Sequence, residues 1–236
     1  MAPALLDEYF FTHSDVLLQR LSDYCANVLR AAVAKYGAAT FLVSGGTTPQ
    51  QLFRKLSLVD LPWQQITVAL IDERCVSVKH DKSNARRVYE NLLQNRASVA
   101  RFVPMFDSSV DAEQALQLCE QRYRQLPAPI ALALVGMGND GHTASWFPGA
   151  EQLRDAMTTE QLCLRLHAPG LSASDIPNRF TISLKGVLNA EKIVLLITGQ
   201  DKKNVYTQAL AGDDIGQMPI RALLKHSPMA VFWSEQ

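Results

Sequence analysis

Residues 130–149 read IALALVGMGNDGHTASWFPG. The run from Ile130 to Val135 has the length and composition of a strand buried on both faces. Gly136 and Gly138 interrupt it, as glycines do where the backbone turns sharply or a ligand comes close. Asp140-Gly141-His142 follows, and Thr143-Ala144-Ser145 reads as the start of a helical turn. Titratable side chains therefore emerge just past the carboxyl end of a buried strand, where open α/β sheets bind ligands. An isolated Asp-Gly-His is equally an ordinary loop sequence, so its weight depends on its company in the chain.

That company is positional. Upstream, residues 40–43 form a short buried strand running into Ser44-Gly45-Gly46-Thr47-Thr48-Pro49, with a helix expected over 50–56. Two glycines that expose backbone N–H groups, two threonine hydroxyls and a helix N-terminus make an anion cradle. The motif is neither a Walker A loop nor a GxGxxG fingerprint, and the alternative is a plain strand-to-helix turn. Residues 66–71 are a second buried strand ending in Asp72-Glu73-Arg74. Taken alone, three adjacent charges read as a solvated loop; the functional reading is a catalytic carboxylate beside an arginine for an anionic group. Downstream, the strand 193–198 ends in Thr198-Gly199 before a helix over 201–210 that carries Lys202.

Between these lie further elements. The pattern predicts helices over 14–36 (Ser14 as N-cap, Val16 and Leu17 on its apolar positions, Gly37 as stop), from Ser83 to about 93 with Tyr89 turned inward, over 110–126, near 151–157 and over 221–224. Strands are expected over 162–167, 179–184 and 229–233, with 168–178 as a loop. Buried strands alternating with helices indicate an α/β fold with a doubly wound, mainly parallel sheet and helices on both faces. No repeat or linker divides the chain, so residues 1–236 are expected to form one domain. In such a sheet the four polar clusters share one edge and one crevice.

Composition narrows the function class. Lys plus Arg and Asp plus Glu both number 23, so nothing global favours nucleic acid or an anionic membrane. No apolar run approaches the ~20 residues of a membrane span. The N-terminal sequence is a poor signal peptide, and Cys25, Cys75, Cys119 and Cys163 form no CxxC pair. Free thiols in a cytoplasmic protein are the expectation, without a metal or other cofactor. The absence of a heptad pattern or long exposed apolar helix points to a monomer.

Ser44-Gly-Gly-Thr-Thr-Pro49, Asp72-Glu-Arg74 with Ser83-Asn84, and Gly136-Met-Gly-Asn-Asp-Gly-His-Thr-Ala-Ser145 with Phe147-Pro148 resemble the 6-phosphogluconolactonases. Pro177-x-Arg179-x-Thr181 and Thr198-Gly-x-x-Lys202 extend the likeness over nearly the whole chain, in the family's order. Ser77 stands where that family often has proline, a departure confined to local loop shape. The resemblance implies the Rossmann-like fold shared with glucosamine-6-phosphate deaminase/isomerases. It also implies hydrolysis of 6-phospho-D-glucono-1,5-lactone, the second step of the oxidative pentose phosphate pathway.

In that reading His142 is the general base, Asp140 orients it, and Arg74 stabilises the oxyanion or binds substrate. Asp72 is the further catalytic carboxylate. The substrate phosphate lies on Ser44, Gly45, Gly46, Thr47 and Thr48, with Arg179 and Lys202 as counter-charges. A serine triad through Ser44 or Ser145 lacks a GxSxG elbow, and a metal site from Asp72, Glu73, Asp140 and His142 lacks a second histidine. An amino-sugar-phosphate deaminase is the nearest rival, but there a glutamate supports the histidine where this chain has Phe147. A non-catalytic sugar-phosphate sensor would keep the cradle and lose the base.

Overall fold

The computed structural model describes residues 6–168 and 176–235. The expected loop over 168–178, with Pro169, Gly170, Ser172 and Ser174, lies largely outside them. In chain order the elements are β1 (Leu6–Phe11), α1 (Ser14–Tyr36), β2 (Ala39–Val43), α2 (Thr48–Leu58), β3 (Ile66–Leu70), β4 (Asp72–Arg74), α3 (Asn84–Asn91), β5 (Arg101–Val103) and α4 (Ala112–Arg124). They continue with β6 (Ile130–Val135), α5 (Leu153–Thr158), β7 (Cys163–His167), β8 (Asn178–Ile182), α6 (Leu184–Leu188), β9 (Ala190–Thr198), α7 (Gln200–Ala211), α8 (Arg221–His226) and β10 (Met229–Ser234).

Seven strands pair in the order β1-β10-β9-β6-β2-β3-β5, all parallel. Every residue of β2, β3, β6 and β10 is buried, as a sheet covered on both faces requires. The doubly wound reading of the sequence is therefore borne out. From β2 the chain proceeds to β3 and β5 on one side, then returns to β6, β9 and β10 on the other. The reversal lies between β2 and β6, and their carboxyl ends are the switch point at which such sheets open a crevice.

Helix α1 shows how the pattern becomes packing. Leu17, Leu21, Cys25, Leu29 and Val33 recur one turn apart and are buried against the sheet. Gly37, at φ +78°, closes the helix with its N–H on Val33 O. His13 rather than Ser14 occupies the cap position, and Val16, off the buried stripe, is half exposed. Tyr89 likewise lies outside the core, 45% exposed with its ring against Phe102.

A second sheet, β4-β8-β7, is antiparallel. The strands expected over 162–167 and 179–184 thus leave the main sheet. Along β7 the outer positions Arg165 and His167 are exposed, a one-sided pattern that a sheet covered on both faces would not tolerate. Ile71 is the hinge between the sheets: its N–H donates to Val43 O and its carbonyl accepts from Ile182 N–H.

Candidate active site

A crevice of about 290 Å³ opens at the carboxyl ends of β2 and β6. The loop from Ser44 to Pro49 forms one wall; Gly136 to Gly138, His142, Asp72, Arg74, Asn84 and Lys202 complete it. All four polar clusters singled out in the sequence therefore converge.

The first wall is built by close backbone approach. Ser44 donates both its N–H and its hydroxyl to Leu134 O, at 3.0 and 2.9 Å, and so seams β2 to β6. Gly46 sits at φ +96°, a conformation that side chains disfavour, and its carbonyl accepts from Gln50 Nε2. Thr47 makes no side-chain cap to α2, and Pro49 occupies the first turn. The start of α2 thus borders the crevice without a side-chain cap.

The opposite wall follows β6. Asp140 Oδ1 lies 2.6 Å from His142 Nδ1 and accepts from the His142 N–H at 3.1 Å. A carboxylate on Nδ1 fixes the proton there and leaves the lone pair on Nε2. Both side chains are about a quarter exposed. Gly138 is required because a Cβ there would stand 2.1 Å from His142 Nδ1 and 2.5 Å from Asp140 Oδ1. The expected helical start at Thr143 is instead a tight turn, with Ala144 at φ +51° and Trp146 N–H on Thr143 O. This turn brings Phe147 back onto the His142 ring, with centroids 4.4 Å apart.

Strand β4 sorts its three charges by alternation. Asp72 and Arg74 border the crevice, while Glu73 is buried away from it and accepts from Arg74 N, Ser83 Oγ, Asn84 N and Ala85 N. Burial raises the Glu73 carboxyl above its ordinary range, opposed by those four donors. Arg74 Nη1 donates to Lys82 O at 2.7 Å and Asn84 Oδ1 at 2.8 Å. Among the described residues its buried Nε has no hydrogen-bond partner. Asp72 Oδ2 accepts from Ser145 Oγ at 2.7 Å.

Lys202, in the first turn of α7, reaches across to Met137 O at 2.6 Å. Burial lowers the pKa of its ammonium group, and nearby Asp140 offsets part of that shift. Arg179 is placed differently from Lys202. It pairs with Arg74 in the β4–β8 ladder, is 2% exposed, and lies 5.9 Å from the Phe147 ring. It is not among the residues lining the crevice. Burial and the neighbouring Arg74 charge lower its pKa.

The family model described as glucosamine-6-phosphate isomerases/6-phosphogluconolactonase matches residues 12–233. The chain belongs to this family. A 6-phosphogluconolactonase of Rhizobium meliloti is 40% identical over 230 residues, spanning 96% of this chain and 97% of that protein. The crystal structure of a 6-phosphogluconolactonase from Shewanella baltica superposes with a TM-score of 0.91 at 38% identity, over 99% of this chain and 98% of that one. A monomeric glucosamine-6-phosphate deaminase, 20% identical, shares the fold with a TM-score of 0.80 over 97% of each chain.

Within this family of two chemistries, several alternatives read from the sequence lose their geometry here. Ser145 is buried with its hydroxyl on Asp72, and Ser44 donates to Leu134 O, so neither serine is hydrogen-bonded to His142. Glu73 turns away from Asp72, which dissolves the four-residue metal set, and no group of three potential ligands is assembled among the described residues. Sequence reasoning missed Asn84, quoted only as part of a motif, although it lines the crevice between Asp72 and Arg74. Its signal was the Ser-Asn pair of a helix start, which also reads as a simple cap.

Proposed function

We propose that the chain hydrolyses 6-phospho-D-glucono-1,5-lactone to 6-phospho-D-gluconate, the second step of the oxidative pentose phosphate pathway. The observation that carries this reading is the Asp140–His142 pair, 2.6 Å apart, opening onto the same crevice as Arg74 and the uncapped start of α2. The chain and its 6-phosphogluconolactonase relatives match over nearly their full lengths, which supports the same conclusion.

His142 Nε2 takes a proton from water as its oxygen bonds to the lactone carbonyl carbon. Asp140 stabilises the imidazolium so formed. Arg74 faces the negative charge developing on the carbonyl oxygen. When the tetrahedral intermediate collapses, the bond from carbon to ring oxygen breaks and His142 returns its proton to that oxygen. Asp72, through Ser145 and Asn84, anchors the wall on which Arg74 stands. The phosphate rests on the Gly45–Thr48 turn with Lys202 as counter-ion. Arg179 adds positive potential from behind Arg74 rather than direct contact.

Phe147 favours hydrolysis over deamination. An apolar ring packed on His142 supplies no second acid for ring opening and enolisation, whereas lactone hydrolysis needs one base and one oxyanion partner. No helix among the described residues is long and apolar enough to cross a membrane. In this reading the enzyme is a cytoplasmic monomer that acts without a cofactor.

The test is lactone loss from freshly generated 6-phosphogluconolactone against the spontaneous background. The wild type should accelerate it, and His142→Asn should lose ~10²–10⁴-fold while still binding 6-phosphogluconate. A folded wild type that leaves the background rate unchanged, or releases ammonia from glucosamine-6-phosphate, overturns the reading.

A further inference from the structure

Asn84 joins three parts of the crevice that the chain delivers separately. It is 1% exposed and opens α3. Its Oδ1 accepts from Arg74 Nη1 at 2.8 Å and from Arg87 Nη1 at 3.5 Å. Its Nδ2 donates to Asp72 O at 2.8 Å and Asp72 Oδ1 at 3.2 Å. The amide orientation follows from its neighbours, since only an oxygen suits two guanidiniums and only an NH₂ suits a carboxylate. Four contacts therefore fix both ends of one short side chain.

The same amide lies flat on the phosphate-side turn. A Cβ built on Gly45 would stand 1.9 Å from Asn84 Oδ1 and 2.0 Å from its Cγ. Gly45 has no left-handed φ, so its backbone does not need glycine; the approach of Asn84 does. Other glycines of the site have different reasons, Gly46 its φ of +96° and Gly138 the His142–Asp140 pair.

We propose that Asn84 is a positioning residue for the lactonase reaction: seated on Gly45, it holds the Arg74 guanidinium at the reacting carbonyl and fixes its distance from the phosphate turn. The inference rests on the lactonase reading above. Besides Asn84, the Arg74 guanidinium is held by the Lys82 carbonyl. Without Asn84 Oδ1 the guanidinium loses its crevice-side constraint, and two arginines lose the acceptor they share. Because Arg74 acts on charge that exists only in the transition state, the loss falls on kcat and not on KM.

The experiment is a double-mutant cycle on lactone hydrolysis with Gly45→Ala and Asn84→Ala, run beside the wild type. Asn84→Ala should lower kcat by about 10- to 100-fold with KM within about twofold, and Gly45→Ala, which also alters the phosphate turn, should lower kcat by a similar factor. The double mutant should be no slower than Asn84→Ala alone, because the three atoms nearest the added methyl are then gone. In an Arg74→Ala background Asn84→Ala should cause no further loss. Multiplicative effects on kcat, a Gly45→Ala enzyme with the wild-type kcat, or an Asn84→Ala loss carried by KM would each overturn the proposal. Thermal melts of every variant accompany the assay, and if Asn84→Ala does not fold, Asn84→Ser carries the same cycle. A wild type without activity overturns the lactonase reading and this inference together; an active wild type with an additive cycle overturns the inference alone.

Discussion

Lys202 is where one residue's environment has a measurable signature. Burial favours its neutral form, so the native state binds fewer protons than the unfolded chain at pH values below 10.5 and above its lowered pKa. In that window folding stability gains from this group as pH rises, while the free site loses the cation that phosphate needs. Affinity for 6-phosphogluconate, measured calorimetrically from pH 7 to 10, should therefore decline at lower pH than an ordinary lysine would allow. Lys202→Arg should flatten the decline, since a guanidinium stays charged throughout; a profile unchanged in that variant would assign the titration to another group. Its place after a buried strand put Lys202 at the crevice edge, but only the family resemblance gave it a phosphate to face. The sequence could not show that Arg179 would stand apart from it, because only the register of β8 on β4 puts that arginine opposite Arg74.

Among the elements, β4 shows how three residues can matter more than their length. Its middle side chain, Glu73, takes four donors from itself and the start of α3, and thereby clamps the strand to the helix. Glu73→Ala leaves those donors buried without an acceptor and should cost about 2–4 kcal/mol in urea unfolding, with kcat reduced because Asp72 and Arg74 ride on the same strand. An unaltered unfolding midpoint would refute the clamp. The long apolar strands β2, β3, β6 and β9 were legible because burial on both faces writes itself into composition. The short strands β4 and β5 were not, since three residues carry no period. Nor was β1, whose LDEYFF places two acids in an edge strand, where one side needs no cover.

At the scale of the whole molecule, a formal net charge of zero coexists with Arg74, Arg87, Arg179 and Lys202 gathered at or behind one crevice. Global attraction to polyanions is thus absent, and in the proposed reading these four cations supply a local one for the substrate phosphate. Raising ionic strength from about 0.01 to 0.15 M shortens the screening length from ~30 to ~8 Å and should weaken 6-phosphogluconate binding several-fold. A salt-independent dissociation constant would mean that hydrogen bonds, not charge, select the ligand.

The seam between β1 and β10 has a temporal side. β1 is one edge of the sheet, and among the described residues β10 is its only strand neighbour. β10 emerges from the ribosome more than two hundred residues after β1. At about 5–20 residues per second, the first strand waits on the order of ten seconds or longer for the one surface it can join. Through that interval the nascent chain carries LDEYFF without its mate, and charge on an edge strand disfavours pairing with other strands. The β1–β10 ladder therefore joins strands more than two hundred residues apart and closes late in synthesis.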